Sequence, residues 1–175
     1  MQDEQLRYPI GKYEPTYTFT EVEKKRYILV IAEFPGRLKT MVDGFTPENW
    51  LSSYRQEGWR AAQIVNHIAD SHMNAFIRFK LGVTEDNPTI KPYDEKLWAK
   101  TADGLISPPD ASIKLIENLH LRWVMLLKSL SLESYERTVY RPDTDKLVKL
   151  SFFLGLYAWH CNHHLAHLQL IKNKN

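Results

Sequence analysis

Apolar residues recur at helical spacing in four stretches of the chain. The first opens at Thr20-x-x-Glu23, a capping-box pattern, and runs to about Gly44, with Pro35-Gly36 expected to kink or interrupt it. The second runs from Ala61 to about Leu81, where Ile64, Ile68, Ala75 and Phe79 share one face and Gly82 marks the expected stop. In the third, Asp110 is the expected cap and Ile113, Ile116, Leu119, Trp123, Leu126, Leu127 and Leu130 form the stripe. The fourth is expected to be capped by Ser151 and to reach about Lys172.

The segments between them are of several kinds. Gln2 to Thr18 is polar and contains Pro9, Gly11 and Pro15, which predicts an extended arm over residues 1–18. Thr46-Pro47-Glu48 starts a one-turn helix, followed by a loop through Ser53 and Gly58. Val139, Tyr140, Leu147 and Val148 flank the turn-like Pro142-Asp143-Thr144-Asp145, which suggests a small hairpin. Between the second and third helices lie roughly 27 residues, Val83 to Pro109, with four prolines. Such a connection can travel the ~30 Å of a 20-residue helix, so helices two and three can run parallel. The expected architecture is all-α: a four-helix bundle with a long crossover between helices two and three, one domain over residues 1–175.

Composition narrows the function. The 175 residues are 43% hydrophobic, 25% charged and 12% aromatic, enough for a packed core. The net charge is +2 with basic and acidic residues interspersed, and no basic stripe for nucleic acid emerges. Met1 to Arg7 lacks a signal-peptide pattern, and the longest apolar run, Phe152 to Trp159, is about eight residues, too short to span a membrane. Cys161 is the only cysteine, so no intramolecular disulfide exists. These features lead us to expect a cytoplasmic protein acting on small molecules, without nucleic-acid or membrane partners.

The histidines carry the chemistry. Four of the seven crowd the last helix: His160, His163, His164 and His167. At about 100° per residue they fall in one arc of about 100°, on the face extended by Phe153, Leu156 and Ile171. A lone histidine on an apolar face is ordinarily a hydrogen-bonded core residue, but four together are costly to bury unless paired or ligated. Rings at i and i+4 stand one turn apart and can share a metal ion. His160/His164 and His163/His167 both have that spacing, which by itself chooses neither. A third ligand must come from another helix, and the second offers His67 and His72. The gap between His160 and His164 is filled by Cys161, Asn162 and His163, so no glutamate base is built in as in HExxH.

Other metal arrangements fit less well. A carboxylate-bridged di-iron bundle needs Glu-x-x-His on two helices, and Glu117-x-x-His120, read here as a surface pair, is the one instance. Haem attachment through C-x-x-C-H is absent, and His160 and His164 on one helix cannot serve as opposite axial ligands. Cys161 points away from the histidine arc and reads as an inert buried thiol. Trp98 in the crossover reads first as a loop anchor and second as a pocket wall.

Longer motifs then add a resemblance. Tyr8-Pro-Ile-Gly-Lys-Tyr13, His67-Ile-Ala-Asp-Ser-His-Met-Asn74, Ile77-Arg-Phe-Lys80, Lys91-Pro-Tyr-Asp-Glu-Lys96, Gly155-Leu-Tyr-Ala-Trp-His-Cys-Asn-His-His164 and Leu165-Ala-His167 resemble, in order and spacing, the DinB/YfiT family. The resemblance implies an up-down-down-up four-helix bundle, commonly a homodimer, and a single ion ligated by His67, His160 and His164. Members often carry a histidine where this chain has Asn162, a position that is not a ligand.

The resemblance also implies an enzyme. Some members transfer a low-molecular-weight thiol such as bacillithiol to an electrophile; others are named metal-dependent hydrolases. Three neutral imidazoles leave coordination positions open, which suits either reaction, while a closed four-ligand site would suit a non-catalytic metal-binding stress protein. Zn is the default ion, with Ni, Mn and Fe also acceptable to imidazole. Hydrolysis would want a proton shuttle, for which His163, His167, Asp70 and Asp94 are the candidates; Tyr93, Asp94 and Trp98 are where a thiol would be positioned.

Overall fold

The computed structural model describes residues 2–16 and 18–174. Its elements in chain order are α1 (Gln2–Arg7), α2 (Glu21–Val42), α3 (Pro47–Leu51), α4 (Ala61–Thr84), α5 (Glu95–Trp98), α6 (Asp110–Ser129), α7 (Leu132–Glu136), β1 (Thr138–Arg141), β2 (Lys146–Lys149) and α8 (Leu150–Lys172). The four long helices form a bundle in up-down-down-up order. Helix α2 packs on α6 and α8, and so does α4, which places α2 and α4 across a diagonal. Ile31 and Phe34 from α2, Ile64 and Phe79 from α4, Trp123 and Leu127 from α6, and Phe153 and Leu168 from α8 are fully enclosed between them.

Helix α2 begins where its capping pattern predicts, with the Thr20 side chain accepting from the Glu23 amide. Of the two effects expected of Pro35, a kink or an interruption, the interruption does not occur, and the helix continues to Val42. Proline lacks the N–H that would bond the carbonyl four residues back, so the Ile31 oxygen is left without its helical donor. His120 of α6 supplies one: its Nδ1 lies 2.7 Å from that oxygen. A tertiary hydrogen bond thus replaces the missing local one.

Gly82 likewise lies inside α4 rather than ending it, and Arg137 closes the helix by donating to the carbonyls of Gly82 (2.7 Å) and Glu85 (2.6 Å). The glycine serves close packing. A Cβ at Gly82 would lie 2.8 Å from Leu150 Cδ2 and 3.1 Å from Val139 Cγ1. Gly82→Ala is therefore expected to destabilise by about 1–3 kcal/mol despite its better helix propensity, lowering Tm by roughly 2–12 °C. An unchanged or raised Tm in a calorimetric scan would show that Leu150 yields freely.

The hairpin forms as β1 and β2 in antiparallel register, Val139 opposite Val148. Leu150 N donates to Arg137 O, so the hairpin sets the entry to α8; Ser151 lies inside the helix and is not its cap. At the start of α6, Asp110 is the first helical residue and Pro109 the cap position.

The crossover is anchored at several points. Ile90 N bonds Tyr140 O and Tyr140 N bonds Pro88 O beside the hairpin. Gln63 donates to Ala99 O, and Asn66, next to His67, donates to Gly104 O and Ile106 O.

The N-terminal arm differs from expectation. Gln2–Arg7 is helical, aided by an i,i+4 ion pair between Asp3 and Arg7 at 2.8 Å. Past it the chain runs along α8, where Trp159 Nε1 donates to Gly11 O and the Tyr13 hydroxyl donates to Phe152 O. Gly155 makes that approach possible, since a Cβ there would lie 2.4 Å from the Tyr13 oxygen. Tyr17, part of the predicted arm, lies outside the described residues together with Met1 and Asn175. Among the described residues, no helix is long and apolar enough to cross a membrane.

Candidate metal centre

The bundle gathers all seven histidines. Helix α8 brings His160, His163, His164 and His167, α4 brings His67 and His72, and α6 brings His120. His67 Nε2 lies 3.2 Å from His160 Nε2, which lies 3.1 Å from His164 Nε2. These three rings each present a ligand atom within 4.8 Å of the others. Two nitrogens bound at 2.0–2.1 Å to a tetrahedral ion stand about 3.3 Å apart, so the spacing suits a shared ion. His163, His164 and His167 form a second group by the same distance measure. A neutral imidazole has one lone pair, so His164 can serve one group or the other.

Aromatic rings wall the cluster. Trp59, whose part the sequence did not disclose, lies 4.6 Å from His67 between ring centroids. Trp159 stacks on His163 at 4.3 Å and Tyr54 stacks on His167 at 4.0 Å. Behind the ligand trio, His72 Nδ1 is 2.8 Å from His120 Nε2, and His72 Nε2 is 3.2 Å from His160 Nδ1. On the other side, His167 Nδ1 is 3.3 Å from His164 Nδ1, and His167 Nε2 is 3.2 Å from Arg7 O.

Burial lowers the proton affinity of every one of these rings. It brings His67, His120 and His167 to about 4 and His163 to about 3. His72, His160 and His164 fall well below the ordinary imidazole value, again from burial first and then from neighbouring imidazoles. All seven rings are thus neutral at pH 7, the form that ligates.

The remaining predicted residues divide. Asp70, one turn beyond His67 on α4, is half-buried, and burial together with the Asp103 charge raises its carboxyl to about 6. Asp94 is exposed and committed to capping α5, accepting from Lys96 N and Leu97 N, which removes it as a shuttle. Tyr93 lies 4.5 Å from Trp98 between ring centroids, and burial raises its hydroxyl to about 12. Trp98 keeps 39% of its surface exposed. Cys161 is enclosed and burial pushes its thiol up, so it stays protonated. Glu117-x-x-His120 is not a surface pair: His120 is 2% exposed and bonded within the core. Its position one turn from both Ile116 and Trp123 on the apolar stripe was the available signal.

Comparison with known proteins identifies the family. The model of the DinB superfamily matches residues 31–168. YfiT of Bacillus subtilis (strain 168), provisionally named a metal-dependent hydrolase, is 44% identical over 163 residues, 93% of this chain and 92% of its own. A protein of Bacillus cereus (strain AH820), named in the same provisional way, is 44% identical over 169 residues, 97% and 96% of the two chains. The solved structure of YfiT, described as having an unusual four-helix bundle topology, superposes with a TM-score of 0.93 at 42% identity, covering 97% of both chains. A mycothiol-dependent maleylpyruvate isomerase shares the fold alone, with a TM-score of 0.65 at 17% identity over 83% of this chain and 60% of its own. The chain belongs to the DinB superfamily.

Proposed function

We propose that this member of the DinB superfamily is a metal-dependent enzyme whose divalent ion is held by His67, His160 and His164. The observation that carries the reading is the approach of their three Nε2 atoms at 3.1 and 3.2 Å. We place this trio ahead of His163, His164 and His167 because His163 is stacked on Trp159 and His167 Nε2 faces Arg7 O. The relatives' provisional name supports metal dependence. When bound, such an ion supplies a Lewis-acidic centre that ionises a thiol or lowers the pKa of water. Zn is our default, with Ni, Mn or Fe as alternatives.

We infer further that the nucleophile is a low-molecular-weight thiol, transferred to an electrophile. The surrounding groups support this choice. Both histidine clusters consist of imidazoles alone, and burial leaves them poor bases at pH 7. A thiol with its ordinary pKa of about 8.5 needs little further help to ionise, whereas water at 15.7 needs much more. In the transfer the thiol proton goes to solvent, a sulfur–carbon bond forms, and the leaving group departs with its electron pair. Tyr93 and Trp98, packed against each other in the crossover, are our candidates for positioning the thiol.

A second reading, hydrolysis, is favoured by Asp70. Its raised proton affinity suits it to accept a proton from water near neutral pH. The separating experiment starts with elemental analysis of untagged protein. Metal-loaded and metal-free forms are then assayed with bacillithiol, glutathione and coenzyme A against an alkylating dye, and with ester and amide substrates. Metal-dependent consumption of thiol and dye is expected; ionisation contributes only about ten- to thirtyfold, positioning the rest. Hydrolysis without thiol turnover would establish the second reading. Absence of both with a bound ion would leave a metal-binding protein without turnover. The proposal also carries a homodimer, to be checked by sedimentation velocity, and a cytoplasmic setting.

A further inference from the structure

Two histidines outside the ligand trio, His72 and His167, stand directly behind ligand rings, a third, His120, stands behind His72, and hydrogen-bond logic orders their protons. His120 Nδ1 faces the Ile31 carbonyl that Pro35 leaves without its helical donor. A carbonyl only accepts, so neutral His120 carries its proton on Nδ1 and a lone pair on Nε2. That lone pair faces His72 Nδ1 at 2.8 Å, so His72 also donates from Nδ1. The Nε2 of His72 is then an acceptor, 3.2 Å from His160 Nδ1, and His160 donates in turn. The His160 nitrogen left unprotonated is Nε2, the atom facing His67 and His164.

A shorter relay orders His164. Arg7 O accepts from His167 Nε2, which makes His167 Nδ1 an acceptor 3.3 Å from His164 Nδ1. His164 therefore donates from Nδ1 and keeps its lone pair on Nε2. Two lone pairs then face each other across 3.1 Å, an arrangement that a cation between them makes attractive. The ring of His72 is enclosed by Phe34, Trp123 and Tyr157, with centroids 5.5, 5.6 and 6.0 Å away, which disfavours a charged form.

We propose that His72, His120 and His167 are positioning residues that fix His160 and His164 as Nδ1–H tautomers, aiming both Nε2 lone pairs at the ion. The proposal rests on the ligand assignment above. Ligating histidines usually donate their second N–H to a carboxylate, a carbonyl or water. Here imidazoles occupy that place and both relays end on backbone carbonyls, one belonging to the proline-containing helix and one to the N-terminal helix. Neutral partners leave the charge of the ion undiminished, which suits activation of a nucleophile.

The first test needs neither a variant nor a metal. Long-range proton–nitrogen correlation spectra of the 15N-labelled, metal-free protein at neutral pH should show Nδ1–H on His72, His120, His160 and His164, and Nε2–H on His167. A proton on Nε2 of His160 or His164 would overturn the proposal whatever the protein binds. The second test uses zinc alone, by competition with a chelator. His120→Phe removes the acceptor for His72 and should weaken zinc binding about 10- to 100-fold, with a second tautomer emerging at His160. His120→Gln, which can both donate and accept, should recover most of that loss. Equal affinity in the wild type and the folded Phe variant, or equal losses in the Phe and Gln variants, would reduce His120 to packing. Absence of zinc binding by the wild type would instead defeat the ligand assignment while leaving the tautomer result intact.

Discussion

Replacing His160 with alanine is expected to abolish stoichiometric metal binding, whereas His163→Ala is expected to keep most of it. The two rings are neighbours on the same helix, so they differ little in helical context and greatly in geometry. His160 Nε2 lies 3.2 Å from His67 Nε2 and 3.1 Å from His164 Nε2. His163 lies flat against Trp159 at an interplanar angle of 19°, and its buried Nδ1 has no hydrogen-bond partner among the described residues. Structural zinc sites contribute about 10–16 kcal/mol through four ligands, so one ligand carries about 2.5–4 kcal/mol, roughly sixtyfold or more in affinity. With only three protein ligands, the two that remain should fall below stoichiometric binding. His164→Ala should be as damaging, but it cannot discriminate, because that ring belongs to both candidate groups. The decisive comparison is His67 or His160 against His163, read by isothermal titration. If His163→Ala loses binding while His67→Ala retains it, the ion belongs to His163, His164 and His167.

The sequence disclosed the four long helices and the hairpin because their signals are local: apolar periodicity, the Thr20 cap, and turn residues between short β-prone runs. It misplaced features whose cause is tertiary. Pro35 should kink or interrupt a helix by local rules, and no neighbour in sequence shows that His120, 85 positions on, will take the orphaned carbonyl. Gly82 reads as a stop until Leu150 is seen filling the space of its missing side chain. The six residues of α1 are too few to show periodicity, and the prolines that follow suggested an arm throughout. At the site, the histidine-rich face of the last helix was plain, yet its two i, i+4 pairs are equivalent on a helical wheel. Only the resemblance selected one, and the close approach of His67 to His160 supports that selection. In the sequence His120 is paired by spacing with Glu117, which reads as a surface pair. Its partners in the molecule are Ile31 and His72.

The metal-free protein is expected to lose most of its stability as pH falls from about 6.5 toward 4, and saturating zinc is expected to move that loss to lower pH. Unfolded histidines take up protons near 6.5, while burial lowers folded His67 and His120 to about 4. Between those values the unfolded chain holds more protons than the native one, so stability rises with pH through this window. It is fully present above about 6.5 and declines as pH falls to the folded values. For each of these two rings the difference is about 3 kcal/mol, and together they rival the 5–15 kcal/mol that holds a typical domain folded. His72, His160 and His164, lowered further, act in the same direction. Asp70 opposes them: its raised carboxyl adds stability as pH drops below about 6, but it is one half-buried group against several enclosed rings. Zinc binds the neutral rings and adds about 4 kcal/mol at a free concentration near 1,000 times its Kd. Protons compete for the same nitrogens only as pH nears the folded values, so this increment persists below pH 6.5 and shrinks as pH approaches about 4, where His67 titrates. Far-UV circular dichroism across pH, with zinc and with chelator, reads both effects. The rings would have to be solvated or charged in the native state if the chelated protein kept the same Tm from pH 7.5 to 5. A transition that zinc leaves unmoved would mean that the ion does not bind those rings.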